Sequence, residues 1–281
     1  MPVTAPAPYE VRTHPIAVVP AVIVCSAAIL LFGFQLKLPG YALLVVGVVV
    51  AWLVDRSGRT ERLAPDLALI AIGQAIISTM SLEADISFPS MVRFTVVLGL
   101  AVVVPYVISR YVYGDRVIRF PWRTGRRWNR TQWLYLIFVT VAGWLILPFY
   151  FITSGVYQNW PTVTEPGEIA RLFVGVNAVG TWDELFFICT VFALLRRHFP
   201  TWQANLLQSI VFVSFLWELG YQSWGPLLTI PFALIQGYTF KLTKSLTYVL
   251  VVHLIFDAVV FCVIVYAHNG WPAIFPLVPG G

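Results

Sequence analysis

Long apolar runs alternate with short polar ones along the whole chain. The runs hold about 18 to 25 apolar residues, the length a helix needs to cross a hydrocarbon core of ~30 Å. Nine candidate spans follow, at about 16–34, 39–54, 63–82, 91–112, 133–152, 169–195, 202–220, 224–241 and 245–267; eight is the alternative count. A transmembrane barrel would instead show short segments of alternating polarity. The pattern therefore predicts an all-α, polytopic helical membrane protein.

Charge fixes an expected orientation. "DRSGRTER" (55–62), "GDRVIRFPWRTGRRWNR" (114–130), "RRHFP" (196–200) and the link carrying Lys241 and Lys244 are basic. The alternate loops "EADISFP" (83–89), "TSGVYQNWPTVTEPGE" (153–168) and the turn near Gln222 are poor in Lys and Arg. Nine spans put the four basic loops on one side, which the positive-inside rule makes cytoplasmic, with the N-terminus inside. This topology also accounts for the net charge of +5 without a nucleic-acid partner. The Arg-rich loop could attract anionic headgroups, but a topology signal explains it more simply. The first run lacks a small-residue cleavage pattern and is read as a retained helix. "NRT" at 129–131 fits a glycosylation sequon only by its letters, in an expected cytoplasmic loop. Composition agrees with a membrane class: of 281 residues, 59% are hydrophobic and 11% charged, against about 25% charged in soluble domains. Cys25, Cys189 and Cys262 stand singly in apolar runs, without the spacing of a disulfide framework or zinc cluster.

The chain divides at the basic loop. Residues 1–113 form an expected four-helix membrane region, 114–132 a cytoplasmic loop, and 133–281 the region holding the deep ionisable residues. Asp183, Glu184, Glu218 and Asp257 lie within apolar runs, with His253. An ionisable residue at mid-bilayer costs ~2.5–3.5 kcal/mol even on the lenient insertion scale, so a functional, interior-facing role is the default. The competing explanation, a structural polar contact between helices, weakens when five such residues fall in nearby spans. At ~1.5 Å per residue, Glu184 lies about 18 Å from Arg196, Asp257 about 20 Å from Lys244 and His253 about 14 Å. Three of these groups can therefore meet near mid-membrane. His253 and Asp257, four residues apart, share a helical face. Glu218, about 26 Å along its span from Thr201, is the weakest member. Adjacent carboxylates that repel one another and lose solvent are suited to acid–base work, and a His one turn from an Asp can donate to an oxyanion. Such a set could activate water against a carbonyl, relay protons or bind a cation.

These residues resemble the CAAX protease and bacteriocin-processing (CPBP) family of intramembrane proteases, whose helices carry EExxxR, then FxxxH, then HxxxN or HxxxD. "DELFFI" (183–188) falls where the first motif stands and runs into "CTVFALLRRHFPTW". "FVSFL" (212–216) occupies the second, and "QGYTFKLTKSLTYVLVVHLIFD" (236–257) is similar to the family's Gly-containing span, Thr-x-Ser turn and third motif. The resemblance covers about residues 169–267. Asp183 replaces a Glu, Ile188 stands at the Arg and Leu216 at the second-motif His; Glu184, Phe212, His253 and Asp257 are retained. The resemblance implies that Asp183 and Glu184 activate a water while His253 and Asp257 stabilise the oxyanion. Phe212 and Glu218 are possible accessory residues, although Glu218 lies roughly 200° around the helix from Leu216.

The expected function is thus an intramembrane endopeptidase acting on a membrane-associated or prenylated-type peptide. It would use glutamate-activated water and no cofactor, in a multi-pass protein of a bacterial cell membrane surrounded by lipid. A divalent cation is possible but not required: there is no HExxH, and the ligand set is too oxygen-rich for zinc. No GxSxG supports serine chemistry. Two alternatives remain at this stage. One is a catalytically impaired relative that binds a membrane partner or lipid-linked ligand. The other is a proton- or cation-coupled transporter, for which the duplicated halves common in transporters are missing.

Overall fold

The computed structural model describes residues 14–122, 125, 127–270 and 274–278. The first thirteen residues and Arg123, Thr124 and Arg126 of the expected basic loop lie outside them. Among the described residues there are nine helices of 15 residues or more and no strand. They are α1 (Pro15–Gly33), α2 (Lys37–Arg56), α3 (Leu63–Ile77), α4 (Phe88–Val112), α5 (Arg130–Thr153), α6 (Pro166–Leu195), α7 (Thr201–Leu219), α8 (Pro226–Thr243) and α9 (Leu246–Asn269). Each falls within or over one of the nine expected spans, and the protein is a polytopic helical membrane protein.

Six of these helices, α1, α2, α4, α5, α6 and α9, are long and apolar enough to cross a bilayer by themselves. With 15 residues, α3 reaches only about 22 Å at ~1.5 Å per residue, shorter than expected. Ser78 Oγ and Thr79 Oγ1 end it by donating to the carbonyls of Ala75 and Ile76, a local alternative to further helix. α7 buries Asn205, Gln208 and Glu218 and serves as an interior helix.

Local chemistry sets the helix ends. Asn129 Oδ1 accepts from the Gln132 amide while Gln132 Oε1 accepts from that of Asn129, a capping box that starts α5. Pro89, Pro166 and Pro226 occupy first-turn positions, where a missing N–H has no consequence. Gly270, at φ 57°, closes α9 in the left-handed region.

Side-chain contacts sort the loops into two ends. Arg197 reaches Asp66 and Asp115, and Arg62 reaches Asp115; the Leu246 amide donates to Pro121 O and Thr247 to Trp122 O. The basic loops therefore share one end. At the other, Arg171 Nε donates to Ile86 O, Asn159 Nδ2 to Gly220 O and Asn269 Nδ2 to Val163 O. One hydrophobic core joins α1–α4 to α6 and α7, including Phe32, Leu67, Phe186 and Phe215. A second, with Tyr150, Phe151, Val260 and Ile264, joins α5 and α9. α6 crosses between the two.

Candidate functional site

The middle of α6 departs from α geometry. From Glu184 to Phe192 its turns are π-helical, and Thr190 Oγ1 donates to Leu185 O. Extra-wide turns of this kind occur often at functional sites. Asp183 closes the α-helical part and Glu184 opens the π part, so the change of pitch begins between the two acids.

α9 brings His253 between them. His253 Nδ1 lies 2.8 Å from Glu184 Oε1, while Nε2 lies 3.5 Å from Asp183 Oδ2 and 3.9 Å from Asp257 Oδ1. All four residues are at most 6% exposed. Among the described residues, His253 is the one basic side chain paired with the three carboxyls. Oδ1 of Asp183, Oε2 of Glu184 and Oδ2 of Asp257 are buried without a hydrogen-bond partner. Polar groups so placed are rare in proteins whose only task is to be stable. The close approach of α6 and α9 depends on Gly180, where a Cβ would stand 1.8 Å from Asp257 Oδ2.

A chamber of about 580 Å³ opens beside this cluster, within the range of small-molecule and cofactor sites. Its walls are mainly apolar, with Leu98, Leu147, Trp182, Leu216, Phe232 and Phe256 among them, and Asp183, His253 and Asp257 reach it. Glu184 lies behind. It borders a separate void of about 10 Å³ with Asp183, Ile188, Gln208, Phe212 and Gln236, a volume at the lower limit for one water. Phe232 and Phe212 present edges to the imidazole, with ring centres 5.1 and 6.3 Å away.

The structure thus brings Asp183, Glu184, His253 and Asp257 together, with Phe212 at their margin. His253 sits closer to Glu184 than to Asp257, its neighbour on α9. Glu218 is corrected as an accessory residue. Its Oε1 accepts from the Leu82 amide at 3.2 Å and from Gln35 Nε2 at 3.4 Å, so it ties α7 to two loops and borders neither cavity. The physical reason is its helical angle, which turns it from the face that carries Leu216 into the chamber wall. Gln236 was missed. Its Nε2 donates to Glu184 Oε1 at 2.8 Å and to Val249 O at 3.0 Å; the available signal was a neutral amide inside an apolar run, where only ionisable groups were counted. Among the described residues no group of three or more His, Cys, Asp and Glu side chains is spaced to hold a metal ion.

Comparison with known proteins points to the same stretch of the chain. The family model described as Rce1-like, type II CAAX prenyl endopeptidase Rce1-like, matches residues 165–259, about a third of the chain. Neither curated proteins nor solved structures gave a match. The matched segment, which runs from the start of α6 into α9 and holds all four clustered residues, is therefore similar to the Rce1-like type II CAAX prenyl endopeptidases.

Proposed function

We propose that this chain is an intramembrane endopeptidase that hydrolyses a peptide bond in a membrane-associated, prenylated-type substrate. The observation that carries the reading is an imidazole bonded through Nδ1 to Glu184, with Nε2 facing Asp183, Asp257 and a large apolar chamber. A carboxylate behind one ring nitrogen fixes the tautomer that leaves the other free to act as a base. The resemblance gave the water to the two acids and the oxyanion to His253. With Nδ1 held by Glu184, Glu184 instead activates the water through His253. In the reaction, His253 Nε2 takes a proton from a water oriented by Asp183, and the resulting hydroxide adds to the scissile carbonyl carbon. Asp257 Oδ2, which has no hydrogen-bond partner, is assigned the proton that it donates to the oxyanion. Collapse of the tetrahedral intermediate breaks the C–N bond and returns that proton to Asp257, and His253 Nε2 protonates the departing amine. No covalent intermediate or metal takes part. The apolar walls suit a lipid-modified peptide, and the reading puts the protein in the cell membrane of a bacterium, with the basic loops on the cytoplasmic side by the positive-inside rule.

The test is cleavage of a farnesylated peptide reporter by the purified protein in lipid nanodiscs. Wild type should cut and Glu184→Gln should not; equal cleavage by both overturns the reading. A binding protein that has lost catalysis is the second reading, favoured by Ile188 and Leu216 at the motif's Arg and His positions. Activity that arises only in an Ile188→Arg, Leu216→His double variant would select it.

A further inference from the structure

Glu184 accepts two hydrogen bonds on one oxygen, and the second donor belongs to none of the three motifs. Gln236, 2% exposed on α8, divides its Nε2 between Glu184 Oε1 and Val249 O. Val249 lies four residues before His253, so in regular α geometry its carbonyl also receives the His253 amide. One amide group thus touches the acid on α6 and the turn of α9 that carries the imidazole.

α8 itself is held firmly at this level. Asn205 Nδ2 donates to Leu234 O at 2.6 Å, and Gln208 Nε2 to Ala233 O at 3.1 Å and to Asn205 Oδ1 at 3.0 Å. Gly237 lets these side chains in, since a Cβ there would fall 2.0 Å from Asn205 Oδ1. The turn of α8 before Gln236 is therefore held by two hydrogen bonds from α7, whose donors are themselves bonded to each other. Ile188 borders the same small void as Glu184 and Gln236, so the side where the first motif would supply a cation holds an amide donor and an alkyl chain.

We propose that Gln236 is the positioning residue of the Glu184–His253 pair, supporting the carboxylate through a neutral amide where Ile188 offers no charge. This deepens the proposed peptidase reading and rests on it for its kinetic arm. Hydrogen bonds to a charged group are among the stronger kind, and losing the donor leaves Glu184 Oε1 free to turn away from Nδ1. The chain would then keep its fold and lose the alignment.

The experiment uses the full chain, labelled with ¹⁵N-histidine, in lipid nanodiscs, with Gln236→Leu and Gln236→Met measured in parallel so that a packing defect in one does not decide the result. His253 signals are assigned from His253→Gln. The expected result is a roughly 10- to 100-fold fall in kcat, the range for lost outer-layer support of a reacting group, with KM within about twofold, and loss of the hydrogen-bonded Nδ1 resonance. An unchanged Nδ1 resonance in both variants overturns the proposal, whatever happens to the rate. Loss of the resonance in a chain whose wild type does not cut the reporter upholds the positioning role and rejects the peptidase.

Discussion

α6 carries polar clusters at its middle and at its basic end, and they are built on opposite principles. At the basic end, Asp66 Oδ1 lies 3.2 Å from Arg197 Nη1 and Oδ2 lies 2.7 Å from His198 Nε2. Asp115 receives Arg197 at 2.5 Å, Arg62 at 3.6 Å and the Arg116 amide. Cations and carboxylates interleave there. In the middle, three carboxyls surround one imidazole and each keeps an oxygen without a partner. The first cluster completes its bonds and joins loops. The second leaves them open beside a chamber. Incomplete pairing in a buried site costs stability, so its retention points to chemistry.

This contrast can be tested by separating activity from stability. The largest effect should come from Glu184→Gln, an isosteric change that lowers reporter cleavage by about 10²–10⁴-fold, the usual range for acid–base groups, while thermal unfolding moves little. A stability loss as large as that of a core truncation would make the middle cluster structural. Next comes Gly180→Ala. Its new methyl group must displace Asp257, so cleavage should fall by about 10- to 100-fold, with overpacking costing about 1–3 kcal/mol in a denaturation assay. Arg197→Ala should show the reverse profile. It strips cations from Asp66 and Asp115, with an expected loss of about 2 kcal/mol, between the values for exposed and buried pairs, and leaves kcat unchanged below the unfolding temperature.

The smallest effect concerns pH. Burial pushes the Asp115 carboxyl up, but the Arg116 amide and the guanidinium groups of Arg197 and Arg62 outweigh it and hold the group below its ordinary 3.8. A depressed folded value means that its stabilisation is fully present above about 3.8 and is lost as the pH falls through the lower folded value. Melting temperature followed from neutral pH to below 3.8 should decline at the acid end in wild type and less steeply in Asp115→Asn. Parallel curves would show that Asp115 contributes nothing to the basic end.

Much of the fold was legible because bilayer physics is one-dimensional. Nine apolar runs gave nine helices at nearly the same residues, and loop charge grouped Arg62, Arg197 and the Pro121–Trp122 segment at one end before any contact was known. The ends were less legible: Ser78 and Thr79 terminate α3 through side-chain bonds that hydropathy does not weigh. In the site, Asp183, Glu184, His253 and Asp257 stood out as ionisable residues in apolar runs. Gln236 did not, because a single neutral amide in a long span has many structural explanations. Glu218 stood out too, as the weakest member by its distance along the span, and its partners, Leu82 and Gln35, show that it belongs elsewhere.

The sequence by itself determined which segments are apolar enough for the membrane, which loops share a side and that Glu184, His253 and Asp257 can meet at one depth, because each follows from hydropathy, charge and a fixed rise per residue. Tertiary structure decided the rest: that His253 turns Nδ1 to Glu184 instead of pairing first with Asp257, that Gly180 admits Asp257, and that Gln236 closes the pair from α8. These depend on the rotation and spacing of α6, α8 and α9. Packing of whole helix faces sets those values, and no local pattern of residues records them.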